Sequence, residues 1–149
     1  MLGMYLCECG THAVVNAQFG PCRQSKPRWV RHLLRSVDQG TLIMWDRGIQ
    51  SAGWVMAIQA RRAQVLARLS ASLKPTVLQP LPDDSLLVEL QPADPERRRR
   101  GGCVRLRLIE YTLDDPVLNP ESHHIRVVTT LPEAQQYPAG LPRIPTTSA

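Results

Sequence analysis

The sequence predicts an α/β fold, with a mixed sheet and flanking helices in its first half and an antiparallel β module in its second. Three observations carry this. Residues 41–46, Thr-Leu-Ile-Met-Trp-Asp, form a short apolar run that ends in turn chemistry at Arg47-Gly48, as a buried strand does. Two stretches of helical periodicity flank it, at 25–40 and 51–62. From Lys74 onward prolines punctuate short strands, since proline ends helices and is confined to strand edges and turns.

Taken in order, residues 4–9 and 13–19 are strand-like and joined by a short turn, which predicts an antiparallel hairpin. Such a pair needs a third strand or a helix against its apolar face. Ser25 and Pro27 are helix-start signals. Trp29, Val30, Leu33, Leu34 and Val37 then recur at helical spacing, and Gly40 stops the element. Arg28, Arg31 and Arg35 fall on its opposite side, as a solvated face or a contact for DNA. After the central strand, Ser51 caps a helix through about Arg62 that buries Trp54, Val55 and Ile58. Residues 64–70 read as the next strand, so 41–70 is a parallel, right-handed crossover unit.

Further strands are expected at 76–79, 85–90, 103–112 and 124–130. In 103–112, Val104, Leu106, Leu108 and Glu110 alternate with Arg105, Arg107, Ile109 and Tyr111. Glu96 to Gly102 reads as a solvated, mobile hairpin tip carrying Arg97, Arg98, Arg99 and Arg100, with nucleic acid as the alternative role for the run. The tail from about residue 133 has no periodic pattern and reads as disordered. The organisation expected is thus a core at 1–72, a β-rich insertion module at 73–132 and the tail.

The 149 residues and 43% hydrophobic content suffice for one packed domain. The net charge of +5 comes from arginine far more than lysine, and guanidinium suits bidentate phosphate contacts. No run approaches the ~18 apolar residues of a membrane span. A cytosolic location with reduced cysteines is expected. Cys7, Cys9, His12 and Cys22 admit a zinc reading, but the spacing is not the usual knuckle, and Cys7 and Cys9 would share one strand face as small core residues. Asp46, at the carboxyl end of a central strand, is either the opening of a turn or a catalytic carboxylate on the rim where α/β sheets bind ligands.

The segments "ECGTHAV", "LLRSVDQGTLIMWDRG", "LARLSASLKPTVLQPLPDDS" and "RLIEYTLDDP…HHIRVVTTL…YPA", in this order, resemble the catalytic region of bacterial insertion-sequence transposases of the IS-four type. The resemblance covers roughly residues 4–139. It implies a DDE enzyme with a ribonuclease-H-like fold that transfers DNA strands by two-metal phosphoryl transfer, with Mg²⁺ or Mn²⁺ as cofactor and transposon-end DNA as partner. By this resemblance Asp46 is the second acidic residue, a catalytic metal ligand, and Arg47, matching the residue after it, is either a contact to DNA phosphate or a structural ion pair. Ile49 stands where the family usually has an aromatic residue. The family's first aspartate lies on a strand before residue 1. Its glutamate lies in a Tyr-x-x-Arg-x-x-x-Glu helix expected beyond Ala139, where the sequence turns instead to Gly140-Leu141-Pro142. Two of three acids are therefore expected to be missing. The chain is expected to be catalytically inactive alone, poorly soluble, and open to association with a full-length transposase.

Overall fold

A computed structural model describes residues 2–21, 26–49, 52–70, 73–92, 94–99, 102–113, 123–131, 133 and 136. The order of elements is β1 (Leu2–Cys7), β2 (Val14–Gly20), α1 (Lys26–Leu33) continued by a 3₁₀ turn (Leu34–Ser36), β3 (Leu42–Ile49), α2 (Ala52–Gln59), β4 (Gln64–Leu69), β5 (Thr76–Pro80), β6 (Leu86–Leu90), α3 (Pro95–Arg99), β7 (Val104–Leu113) and β8 (His123–Thr129). The protein is mixed α/β. Its main sheet has six strands in the order β3-β4-β8-β7-β6-β5, and β1 and β2 form a separate antiparallel pair.

The crossover read from residues 41–70 is present: β3 and β4 pair in parallel, Ile43 opposite Val65 and Trp45 opposite Ala67. All other pairs of the sheet are antiparallel. The strands of the second half do not stand apart. β8 lies between β4 and β7, so residues of both halves share one sheet.

One sheet face is the core. Val65, Ala67 and Leu69 of β4 alternate inward with Ile43 of β3, Val128 of β8, Leu106 and Leu108 of β7 and Val88 of β6. The helix α2 covers this face with Val55 and Ile58, both fully buried. Each such side chain contributes about 1.5–3 kcal/mol through removal from water. Trp54 of α2 stacks on Trp45, with ring centroids 4.8 Å apart. Val30, Leu34 and Val37 join the same cluster from α1 and the segment after it. The hairpin is held through α1: Met4 and Leu6 pack against the core cluster, and the Asn16 side-chain amide donates to Ser36 Oγ at 2.8 Å. Gly40, at φ 82°, makes the turn into β3 that a side chain would strain, and its N–H donates to the Arg62 carbonyl at 3.0 Å.

Several boundaries differ from expectation. The first helix tightens to 3₁₀ at Leu34, a common way for helix ends to satisfy their carbonyls. The second stops at Gln59, and Arg61 and Arg62 lie in the turn after it, Arg62 in the left-handed region at φ 57°. The expected hairpin tip at 96–102 is helical over Pro95–Arg99, opened by Asp94, whose carboxylate accepts the Glu96 N–H at 3.0 Å. Ser25, Ser51, Asp114, Asp115 and the tail from Tyr137 lie outside the described residues.

Arg107 is the main surprise of the alternation in β7. It shares its row with the exposed Arg105 and Tyr111, yet it is 1% exposed. Its Nε donates to Ser85 Oγ at 2.8 Å, and its Nη2 pairs with the Asp83 carboxylate. Ser85 Oγ in turn donates to Asp83 Oδ1 at 2.5 Å. The turn between β5 and β6, where Asp84 sits at φ 63°, is folded over β7 by this charge. Arg107→Ala is expected to cost about 3–5 kcal/mol, because it leaves the Asp83 carboxylate without its cation. Urea denaturation of the variant measures this, and an unchanged midpoint would show the pair to be structurally idle.

Candidate functional site

The parallel unit β3-α2-β4 positions the candidate site. Pairing follows β3 regularly from Leu42 to Trp45, then slips: Trp45 faces Ala67 and Ile49 faces Leu69. Four residue steps on β3 thus match two on β4. Asp46, Arg47 and Gly48 occupy this bulge, so Asp46 is not the last residue of its strand, as the sequence suggested. Bulges of this kind bend a strand and re-aim its side chains, and they are frequent beside active sites. The Trp45–Trp54 stack fixes the backbone immediately before the bulge.

Strand directions decide what else lies near Asp46. β3, β4, β7 and β5 run one way and β8 and β6 the other. The carboxyl end of β3 is therefore at the same end of the sheet as Leu69, Leu113 and His123. There Glu110 of β7 meets two side chains of β8, the Arg126 guanidinium through Nε at 3.4 Å and the His124 imidazole through Nε2 at 3.5 Å. Sequence spacing gave His124 no carboxylate. The register that pairs Thr112 with His124 and Glu110 with Arg126 supplies it. Arg126 also donates to the Leu73 carbonyl at 2.9 Å, which ties down the chain after β4.

The arginine run is at the other end. α3 connects the carboxyl end of β6 to the start of β7, opposite the end that carries Asp46. Across the sheet β6 is four strand spacings from β3, about 19 Å. Arg98 and Arg99 are exposed. The backbone of Asp46 and Arg47 is thus at the end of the sheet away from α3, which carries Arg97, Arg98 and Arg99; Arg100 lies outside the described residues.

Among the described residues no three of His, Cys, Asp and Glu come together to hold an ion. Zinc fares no better. Cys7 and Cys9 are exposed free thiols rather than core residues, because β1 ends at Cys7 and Cys9 stands in the following turn. Cys22 lies outside the described residues. Cys103 is exposed, and the adjacent Glu89 carboxylate, accepting its hydrogen bond, pushes its thiol pKa up and away from reactivity.

The turn between β1 and β2 has its own organising group. Glu8 accepts the Thr11 hydroxyl and N–H at 2.5 Å each and the Gly10 N–H at 2.8 Å. His12 closes the turn at φ 59°.

A cleft of about 980 Å³ lies between residues 5–9 of the hairpin and Thr41 to Trp45, in and just before β3, open over Arg68, Tyr111 and Val127. A second cavity of about 170 Å³ lies on its α1 side, among Val30, Leu33 and Leu34. No described helix is long and apolar enough to cross a membrane. No protein-family model, curated protein or solved structure matches this chain.

The Thr11 hydroxyl, and after it the two N–H groups, hold the Glu8 carboxyl below its ordinary value of 4.5. A depressed folded pKa means that these bonds favour the ordered turn above the unfolded value and are lost as pH falls through the folded one. A side-chain carboxyl titration followed by NMR should place the Glu8 midpoint below 4.5, and Thr11→Val should return it toward that value. A midpoint unmoved by Thr11→Val would remove the hydroxyl as its cause.

Proposed function

We propose that residues 4–139 belong to the catalytic core of an insertion-sequence transposase of the IS-four type, a DDE domain of ribonuclease-H-like architecture, and that these residues by themselves transfer no DNA strand. The observation that supports this most is the setting of Asp46. It stands in a bulge near the carboxyl end of β3, the first strand of a parallel crossover, where open α/β sheets assemble their chemistry. The ordered motifs around Thr41–Gly48 and Arg107–Asp115 are the reason for choosing this family among the many that use such a rim. In that reading Asp46 is the one carboxylate of the acidic set on this chain and Arg47 a phosphate contact beside it. A single carboxylate neither holds two divalent ions nor positions an attacking oxygen, so catalytic silence follows.

A second reading, a non-catalytic DNA-binding fragment that interferes with a full-length transposase, is favoured by the exposure of Arg98 and Arg99. Their place at the far end of the sheet makes them a phosphate contact independent of Asp46. Such a patch binds duplex DNA without reading sequence and weakens steeply with salt.

Strand transfer on transposon-end DNA with Mg²⁺ or Mn²⁺ is expected to give no product with this chain, and product that disappears on Asp46→Ala would overturn the silence while supporting the family. Six-frame translation of the DNA on either side of the reading frame tests the kinship itself. A strand ending in an Asp-Gly pair on one side and a Tyr-x-x-Arg-x-x-x-Glu helix on the other are expected, and finding neither overturns it. For the second reading, replacing Arg97 to Arg100 with alanine should flatten the plot of log affinity against log salt by about 0.9 per lost phosphate contact. An unchanged slope would assign DNA binding elsewhere.

A further inference from the structure

We propose that Cys7 and Cys9 together bind one soft, two-coordinate metal cation, of which Cu(I) is the type, through both thiolate sulfurs at the end of β1. The proposal stands on the hairpin alone and does not need the transposase reading.

Both thiols are free and exposed, and both line the cleft beside β3. Alternation along β1 explains why they open to the same space. Met4 and Leu6 pack against the core cluster, so Tyr5, Cys7 and Cys9 have the opposite parity. The register irregularity after Leu6 lies on β2, where the step from Asn16 to Val14 skips a residue, so the alternation of β1 is kept. Glu8, between the two cysteines, is directed into the turn, where its carboxylate accepts from Thr11 and Gly10. Its N–H donates to the Ala13 carbonyl at 2.9 Å, which carries the hairpin pairing one residue past the strand. The backbone that bears the thiols is therefore held from within the turn, and the carboxylate between them is already occupied.

Spacing selects the bridge. An extended chain through Glu8 puts the β-carbons of residues 7 and 9 about 6.6 Å apart. A disulfide needs them at roughly 3.5–4.5 Å. A metal between two sulfurs, with bonds of about 2.3 Å each, sets the sulfurs roughly 4.6 Å apart and suits the wider spacing.

Coordination number selects the cation. Structural zinc takes four ligands, and among the described residues no three of His, Cys, Asp and Glu come together. Cu(I) prefers soft sulfur and is satisfied by two thiolates in line, whereas hard cations prefer oxygen. In the binding step two S–H bonds break and two S–Cu bonds form. Two thiols and one Cu(I) give an anionic bis-thiolate complex and two protons, and no electron is transferred. Affinity therefore falls as pH falls, because protons compete for the sulfurs.

The probe is Cu(I) itself, offered without oxygen to the full, reduced chain as its coloured bicinchoninate complex. Loss of colour should report one cation per chain. Cys7→Ser and Cys9→Ser, both at exposed positions, should each weaken binding about tenfold or more, since one thiolate cannot close the chelate. Cys103→Ser should leave it unchanged, because that thiol donates to Glu89 and stands just before β7. Equal loss on all three substitutions would mean adventitious capture by any exposed thiol and overturn the proposal. Loss on Cys22→Ser would make the site a three-thiolate one and overturn it too. So would one equivalent of Zn(II) retained through gel filtration.

Discussion

The fold depends on the pairing of β8 with β4. Without it the parallel crossover and the antiparallel hairpins are two unconnected pieces, each with an open flank. The contact is short, Leu66 with Thr129 through Arg68 with Val127, yet it is reinforced by side chains. The Thr129 hydroxyl donates to the Val65 carbonyl at 2.8 Å. The Thr130 hydroxyl accepts the Val65 N–H at 2.8 Å and donates to Gln64 Oε1 at 2.5 Å. Two adjacent threonines thereby extend the ladder past its last backbone pair. They also set the register, and a slip of one residue would turn Val128 out of the core.

Register explains the rest of the site end. Once Leu108 is opposite Val128, Glu110 must face Arg126, and the acid, its arginine and the neighbouring imidazole follow without further specification. The same directions put the arginine run at the opposite end, because each hairpin reverses the chain. A charged cluster and an acidic candidate close in expected role are thus separated by connectivity and by nothing in their local chemistry.

Elements whose signal is local were legible in the sequence. The hairpin and the crossover are written in period-2 and period-3.6 patterns that packing does not override. Three features were not legible because they depend on distant partners. Arg107 has the outward period of Arg105, and only the turn carrying Asp83 and Ser85 makes its burial tolerable. The bulge at Asp46 is a mismatch between two strands, and one strand's sequence cannot contain it. The membership of β8 in the same sheet as β4 joins residues some sixty positions apart, where periodicity carries no information. For the site itself, residue types and order pointed to Asp46 and Arg47, but whether other acids converge on them is a question of the fold.

The strand at the far edge, β5, gives the sheet a direction. All five of its residues are exposed, and Val77 and Leu78 would suit a further strand. Yet it is short, Lys74 and Pro75 stand before it, Pro80 ends it, and its pairing to β6 slips between Val77 and Gln79. These are the devices by which natural sheets discourage growth at an edge. The opposite edge, β3, has no proline or lysine from Leu42 to Ile49, and its only such devices are the slip after Trp45 and the charges of Asp46 and Arg47, which leave Leu42 to Trp45 regular. Unlimited stacking of copies into a fibre requires two adhesive edges, since each added unit must offer a fresh one. With one edge blunted, a copy joined through β3 presents only its blunted side to the next. Association through this sheet is self-terminating.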